Sequence, residues 1–298
     1  MKNVKKSAMY LCLFAMVNVF AQTEQVEFEV MDKEIPAEEL SYEYLLAHKV
    51  FLREKPSVRS KKVTLLDIGT KMVLWEKSLY AKEIDGIKSH WYRVTTGDQT
   101  GWVWGGMIAQ KSFGSIADNQ VKFVYGYESS AKNASGVTET TYQLRAFKNG
   151  QQLDKMVLDS LAAIPVPVHI ENHGSLGLFN VEDVITVDLA DKDTGYQVGK
   201  SYVFWNNGRF KKVADLIDYA DTNYLKTEHF VFPSDMQGVK STILLKTTIT
   251  KNIKSLNDAL AQDNVEFITT PYVWNGSKLI KKEEVREIKD DAVVSTNF

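Results

Sequence analysis

Between Trp91 and Ala109 the chain reads WYRVTTGDQTGWVWGGMIA. Two short runs of β-forming residues flank the polar pair Gly97-Asp98. Three tryptophans and a tyrosine fall within fourteen residues. Successive side chains on a strand point to opposite faces. Trp91 and Arg93 therefore share one face, and Tyr92 and Val94 the other. Trp102 and Trp104 share a face opposite Val103. A small domain has one interior, so these rings cannot all be its core. The alternation predicts that Trp91 and one of Trp102 or Trp104 are exposed, or that the surplus rings pack on a neighbouring domain.

A chain of 298 residues predicts two domains at roughly 100–200 residues each. Hydrophobic content of 44 % is enough for a packed core. A formal charge of −2 leaves no basic footprint for nucleic acid. Residues 1–21 are expected to be a secretory signal peptide. Lys2, Lys5 and Lys6 form a positive start, Met9–Val17 is a short apolar run, and Val19-Phe20-Ala21 is a small-x-small cleavage site. Removing them takes away Cys12, the only cysteine, and moves the formal charge from −2 to −5. The exported chain then forms no disulfide and depends on its core, although it enters an oxidising compartment, periplasmic or extracellular. No later segment is long and apolar enough to span a bilayer as a helix.

Residues 22–47 read as an acidic leader, either solvated or a short amphipathic piece that packs on the next domain, with weak helical spacing over Glu38–Ala47. From His48 the pattern is β. Val50–Arg53, Val63–Leu66, Lys71–Trp75, Trp91–Thr95 and Gly101–Trp104 are predicted strands. Glu54-Lys55-Pro56-Ser57, Asp67–Thr70 and Gly97-Asp98 supply turns. Lys82–Ser89 reads as a polar loop. Five strands in about sixty residues predict a small β-barrel.

Residues 48–110 resemble bacterial SH3-like (SH3b) domains. The resemblance rests on LREKPSVRSKKV, IGTKM, the WYRV strand and the closing TGWVWGGMI, in that order. The insert Glu76–Ser89 departs from the pattern and is expected to reshape the groove such domains use. The resemblance implies recognition of peptide, protein or peptidoglycan ligands. On that basis Trp91, Tyr92, Arg93, Trp102 and Trp104 are the candidate binding residues.

Residues 111–119 read as a polar linker, residues 120–283 as a larger β-rich domain, and residues 284–298 as a tail. Asn149-Gly150, Asn206-Asn207-Gly208 and Asn275-Gly276 mark three hairpins. Pro165 and Pro167 place Ile164–Ile170 at an edge or in a loop. SYVFWNNGRFKKV and PYVWNGSKLIKKE share a Tyr-Val, a Trp-Asn and a glycine, and each follows an alternating strand. They predict two related hairpin units, too few to close a propeller. Within residues 120–283 only Ser255–Ala261 has helical spacing. The fold class is thus all-β: an SH3-like barrel followed by a sheet-rich domain.

His169 and His173 are four residues apart, as in a helical zinc site, but the nearby prolines and Gly174 argue against a helix. Asp188, Asp191 and Asp193 have calcium-like spacing without the remaining ligands of a calcium loop. No G-x-S-x-G, H-E-x-x-H or phosphate-binding glycine loop occurs, and the exported chain has no cysteine nucleophile. No metal or cofactor is expected. The leading expectation is an exported, non-enzymatic binding protein. The alternative is a structural protein of the cell envelope whose barrel docks on its own C-terminal domain or on a partner. A carboxylate-dependent hydrolase ranks third.

Overall fold

The computed structural model describes residues 42–132, 134–136, 138–158, 165–191, 196–251 and 264–290. Among these there is no α-helix, and the fold is all-β as the alternation predicts. The expected signal peptide, the helical spacing at Ser255–Ala261 and Asp193 lie outside the described residues.

The first eight strands are β1 (Tyr42–Tyr44), β2 (Val50–Arg53), β3 (Lys62–Leu66), β4 (Lys71–Lys77), β5 (Lys82–Ile84), β6 (Ile87–Ser89), β7 (Trp91–Thr96) and β8 (Gln99–Trp104). Six of them form one sheet in the order β1-β4-β7-β8-β2-β3. All five predicted strands are present. The sheet does not close: β1 and β3 remain its two edges, so it is a curled open sheet and not the expected barrel. Its concave side holds Leu45, Leu52, Leu66, Met72, Leu74, Val94, Val103 and Ile108. The polar "loop" at Lys82–Ser89 is a two-stranded hairpin, β5–β6. Residues 42–47 are not leader. β1 pairs with β4, and Leu45 and Leu46 are fully buried, so tertiary pairing overrides the weak helical spacing there.

Next come β9 (Lys111–Gly114), β10 (Val121–Lys132), β11 (Thr138–Lys148) and β12 (Gln151–Leu158), a sheet in the order β12-β11-β10-β9. The first four residues of the expected linker are therefore an edge strand, with Phe113 opposite Phe123. A third sheet follows: β13 (Pro165–Asn172), β14 (Asp183–Asp191), β15 (Gln197–Asn206) and β16 (Arg209–Ile217), in sequence order. The proline-bearing β13 sits at its edge, as the missing amide donors require. The fourth sheet holds β17 (Tyr219–Asp221), β18 (Tyr224–Val231), β19 (Ile243–Lys251), β20 (Asn264–Trp274) and β21 (Leu279–Lys281) in sequence order. β22 (Val285–Asp290) also pairs with β20, so part of the expected tail is strand.

The second, third and fourth sheets stack face to face in chain order, and the first packs on the second through residues that flank its strands. Leu46, Ile68 and Ala109, in the connections of the first sheet, meet Val124 and Phe147 of the second. Phe123, Tyr125 and Leu144 on the other face of the second meet Ile185, Val203, Trp205 and Phe210 of the third. Val184, Tyr202 and Phe204 on the third sheet's far face meet Phe230, Ile243 and Trp274 of the fourth. The third sheet is thus buried on both faces, which explains why SYVFW reads as a continuous apolar run rather than an alternating one. The two repeated motifs are the β15–β16 and β20–β21 hairpins of adjacent sheets. Their aromatics touch across the interface, with Phe204 and Trp274 edge to face at 5.0 Å. Two repeat units are legible in the sequence; the second sheet, β9–β12, is also a meander of sequential strands.

Polar contacts fix the stack. Asp183, fully buried, accepts from Ser115 Oγ, from Ile116 N at 2.8 Å and from Asn172 Nδ2 at 2.8 Å, tying the β9–β10 loop to the third sheet. Asp154 of β12 accepts from Phe210 N at 2.8 Å and pairs with Arg209.

Candidate functional site

The predicted binding residues sit where β7 and β8 pair. Trp91 opposes Trp104, Tyr92 opposes Val103, and Arg93 opposes Trp102. This register puts the three tryptophans and Arg93 on the convex face, away from the core that holds Val94 and Val103. The rings are nonetheless not exposed. Trp91 is 4 % accessible, Trp102 7 % and Trp104 4 %. They form a second apolar cluster with Ile84 and Ile87 of the β5–β6 hairpin, Met107, and Tyr127 of β10. Of the two expectations for the surplus rings, exposure is corrected and packing on a neighbour holds: the hairpin and the next sheet cover them.

The cover is hydrogen-bonded as well as packed. Trp104 Nε1 lies 3.2 Å from both Lys82 O and Ser89 O, so one indole N–H meets both strands of the hairpin. Ser78 Oγ accepts from Trp91 N, and Ser78 O lies 2.7 Å from His90 Nδ1. The hairpin turn docks on β10. Gly86 has φ +77°, and a Cβ there would meet Ser130 O at 1.9 Å. Only glycine allows both that backbone and that approach. Arg93 is exposed and paired with Glu76. Tyr92 is half-buried at the rim of the inner core. Burial, then the nearby Tyr127 phenol, pushes its phenol above the ordinary 10.0.

Where the hairpin meets β10 and β11 the surface opens into a groove of about 610 Å³. Its floor is Ile87 and Tyr127, two members of the tryptophan cluster. Its walls carry Ser130, Thr138 and Thr140 hydroxyls and the charges of Glu83, Lys88 and Lys132. Those three charged groups form no ion pair with any described residue. The volume falls in the range of small-ligand clefts. The hydroxyls can bind amides or sugar hydroxyls, and the two lysines a carboxylate. Sequence reasoning missed this place by reading Lys82–Ser89 as a loop. The signal was Ile84-Asp85-Gly86-Ile87, an Asp-Gly turn between apolar residues.

Residues 48–109 match the family model of the bacterial SH3 domain. This stretch is a bacterial SH3 domain. The match covers the curled sheet from β2 to β8 and ends at Ala109, leaving β1 and all three later sheets outside it. No curated protein and no solved structure matches the chain. The SH3 domain is consistent with a module that binds peptide or peptidoglycan.

The other candidate residues lie apart from the SH3 domain. His169 is on β13 and His173 follows it; both approach Glu171 Oε2, at 3.8 and 4.0 Å, and His173 Nε2 also meets Thr186 Oγ1 at 2.8 Å. Asp188 is on β14 and pairs with Lys200 at 3.0 Å, and Asp191 ends that strand. Among the described residues no three His, Cys, Asp or Glu side chains gather as a metal site would require.

Proposed function

We propose that the chain is an exported, non-catalytic binding protein that recognises a peptide or peptidoglycan fragment in the groove between the SH3 domain's inserted hairpin and β10–β11. The observation that carries this reading is the groove itself. It joins the SH3 domain to the following sheet, and its floor rests on the tryptophan cluster. Trp91, Trp102 and Trp104 then act as the support beneath the ligand, while Glu83, Lys88, Lys132 and the hydroxyls make contact. Among the described residues that line the groove Glu83 is the one carboxylate, where a paired-carboxylate hydrolase would bring two.

The experiment is a titration with soluble peptidoglycan fragments, followed by tryptophan emission. The wild type is expected to saturate with a spectral shift. Ala131→Arg fills the groove from an exposed position and is expected to abolish the shift without lowering the unfolding midpoint. A wild type that does not respond, or a variant that responds equally, removes the reading.

A second reading also has direct support. The packing of Tyr127 against the tryptophans, and of Val124 and Phe147 against Leu46 and Ile68, favours a structural role in which the SH3 domain docks on its own C-terminal sheets.

A further inference from the structure

One end of the sheet stack gathers the β9–β10, β13–β14, β15–β16, β18–β19 and β20–β21 loops. Ile116 lies beside Gly174, Asn180 beside Gly276, and Glu182 Oε1 faces Asn207 N. Ser234 N donates to Leu176 O at 3.2 Å, joining the β13–β14 and β18–β19 loops. From this end three apolar side chains stand out into water. Phe179 is 98 % exposed, Met236 99 %, and Ile116 66 %.

These tips sit on braced loops. Leu178, next to Phe179, is buried in the core between the third and fourth sheets, as is Phe232 at the base of the other loop. Leu178 N donates to Ser175 O, Gly238 N to Asp235 O, and Phe232 N to the Asp235 carboxylate. The anchors on either side hold Phe179 and Met236 outward.

The charges around the tips are divided. Asp118 is paired with Lys148, while the Asp235 and Glu182 carboxylates meet backbone amides and keep their charge. Lys240, four residues from Met236, and Lys278, in the turn beside Asn180, are exposed and form no ion pair with any described residue.

We propose that this end docks on an anionic lipid surface. Phe179 and Met236 enter the boundary between headgroups and acyl chains, and Lys240 and Lys278 meet the headgroup charge. Separate tips on braced loops fit a bilayer, which accepts them without a matching shape. A protein partner would instead require a continuous complementary face. The inference is independent of the groove: the tips lie on the loops of the later sheets, and the groove lies at the hairpin of the SH3 domain.

The test is vesicle flotation with the chain from Gln22 onward, which keeps every described residue and omits the apolar Met9–Val17 run. Vesicles of phosphatidylcholine with phosphatidylglycerol are expected to carry the protein, and phosphatidylcholine alone to carry much less. Phe179→Ser with Met236→Ser is expected to weaken binding about tenfold or more with an unchanged melting midpoint. Lys240→Glu with Lys278→Glu is expected to erase the preference for the anionic lipid. Absence of flotation with either vesicle overturns the proposal, as does undiminished binding of the Ser variant. If the wild type instead self-associates in lipid-free sedimentation and the Ser variant is monomeric, this end is an interface between copies and the lipid assignment falls.

Discussion

Asp183 shows how much one side chain can hold. Its carboxylate is out of reach of solvent and receives three hydrogen bonds, from Ser115, Ile116 and Asn172, without a cation beside it. Asp183→Ala leaves those donors unsatisfied in the interior. We expect a loss of about 3 kcal/mol, read from urea unfolding. Asp183→Asn is expected to destabilise as well, because its amide group would face donors on every side. His229 offers a pH-dependent check. Burial first, then Lys246, hold its imidazole below the ordinary 6.5. The folded state therefore binds its proton less readily than the unfolded chain. The stability this brings is complete above about 6.5 and is lost as the pH falls through the depressed value. An NMR titration is expected to place the His229 midpoint below 6.5, and Lys246→Met to move it upward. The tryptophans are now structural residues: Trp104→Ala is expected to cost about 3–5 kcal/mol in the same unfolding assay, far more than removing an exposed ring.

The β5–β6 hairpin decides what the SH3 domain presents. It covers Trp91, Trp102 and Trp104, and it makes one wall of the groove. Gly86→Ala meets both an unfavourable φ and the Ser130 carbonyl, with a cost of about 1–2 kcal/mol from the backbone alone. The expected result is a lifted hairpin, seen as a red shift of tryptophan emission and stronger acrylamide quenching while the β-sheet signal persists. The strands of the SH3 domain are legible because alternation and turn chemistry mark each one locally, whatever it pairs with; β4 joins β1 and β7, and β2 joins β8, across long stretches of chain. The same holds for the Asn-Gly hairpins; Asn149 and Asn207 both take the positive φ that such turns require. For Trp91 and Trp104 the sequence leaves exposure and packing on a neighbour open, for the opposite reason. Alternation correctly set them on the face away from Val94 and Val103, but exposure depends on what covers that face. The cover comes from the hairpin and from Tyr127, more than twenty residues beyond Trp104. Lys111–Gly114 was misread likewise, since its polar composition suits an edge strand as well as a linker.

At the scale of the whole molecule, the SH3 domain is the first layer of a four-sheet stack. Leu46, Ile68 and Ala109 are buried only because the second sheet lies on them. Residues 42–110 made alone are expected to bind a hydrophobic dye and to melt well below the full chain. Protease cutting is expected to spare residues 111–116, where β9 and the Asp183 contacts hold the backbone. Early cleavage there would contradict the stack. The third sheet, covered on both faces, is expected to retain its amide protons longest in hydrogen exchange. The central claim is that ligand is read at the seam between the SH3 domain and the next sheet. Amide chemical shifts recorded during titration with a soluble peptidoglycan fragment test it most directly. Shifts are expected to concentrate at residues 83–88, 127–132 and 138–140, with none there in Ala131→Arg. Shifts confined to the β2–β3 side of the SH3 domain, or no shifts at all, would contradict it.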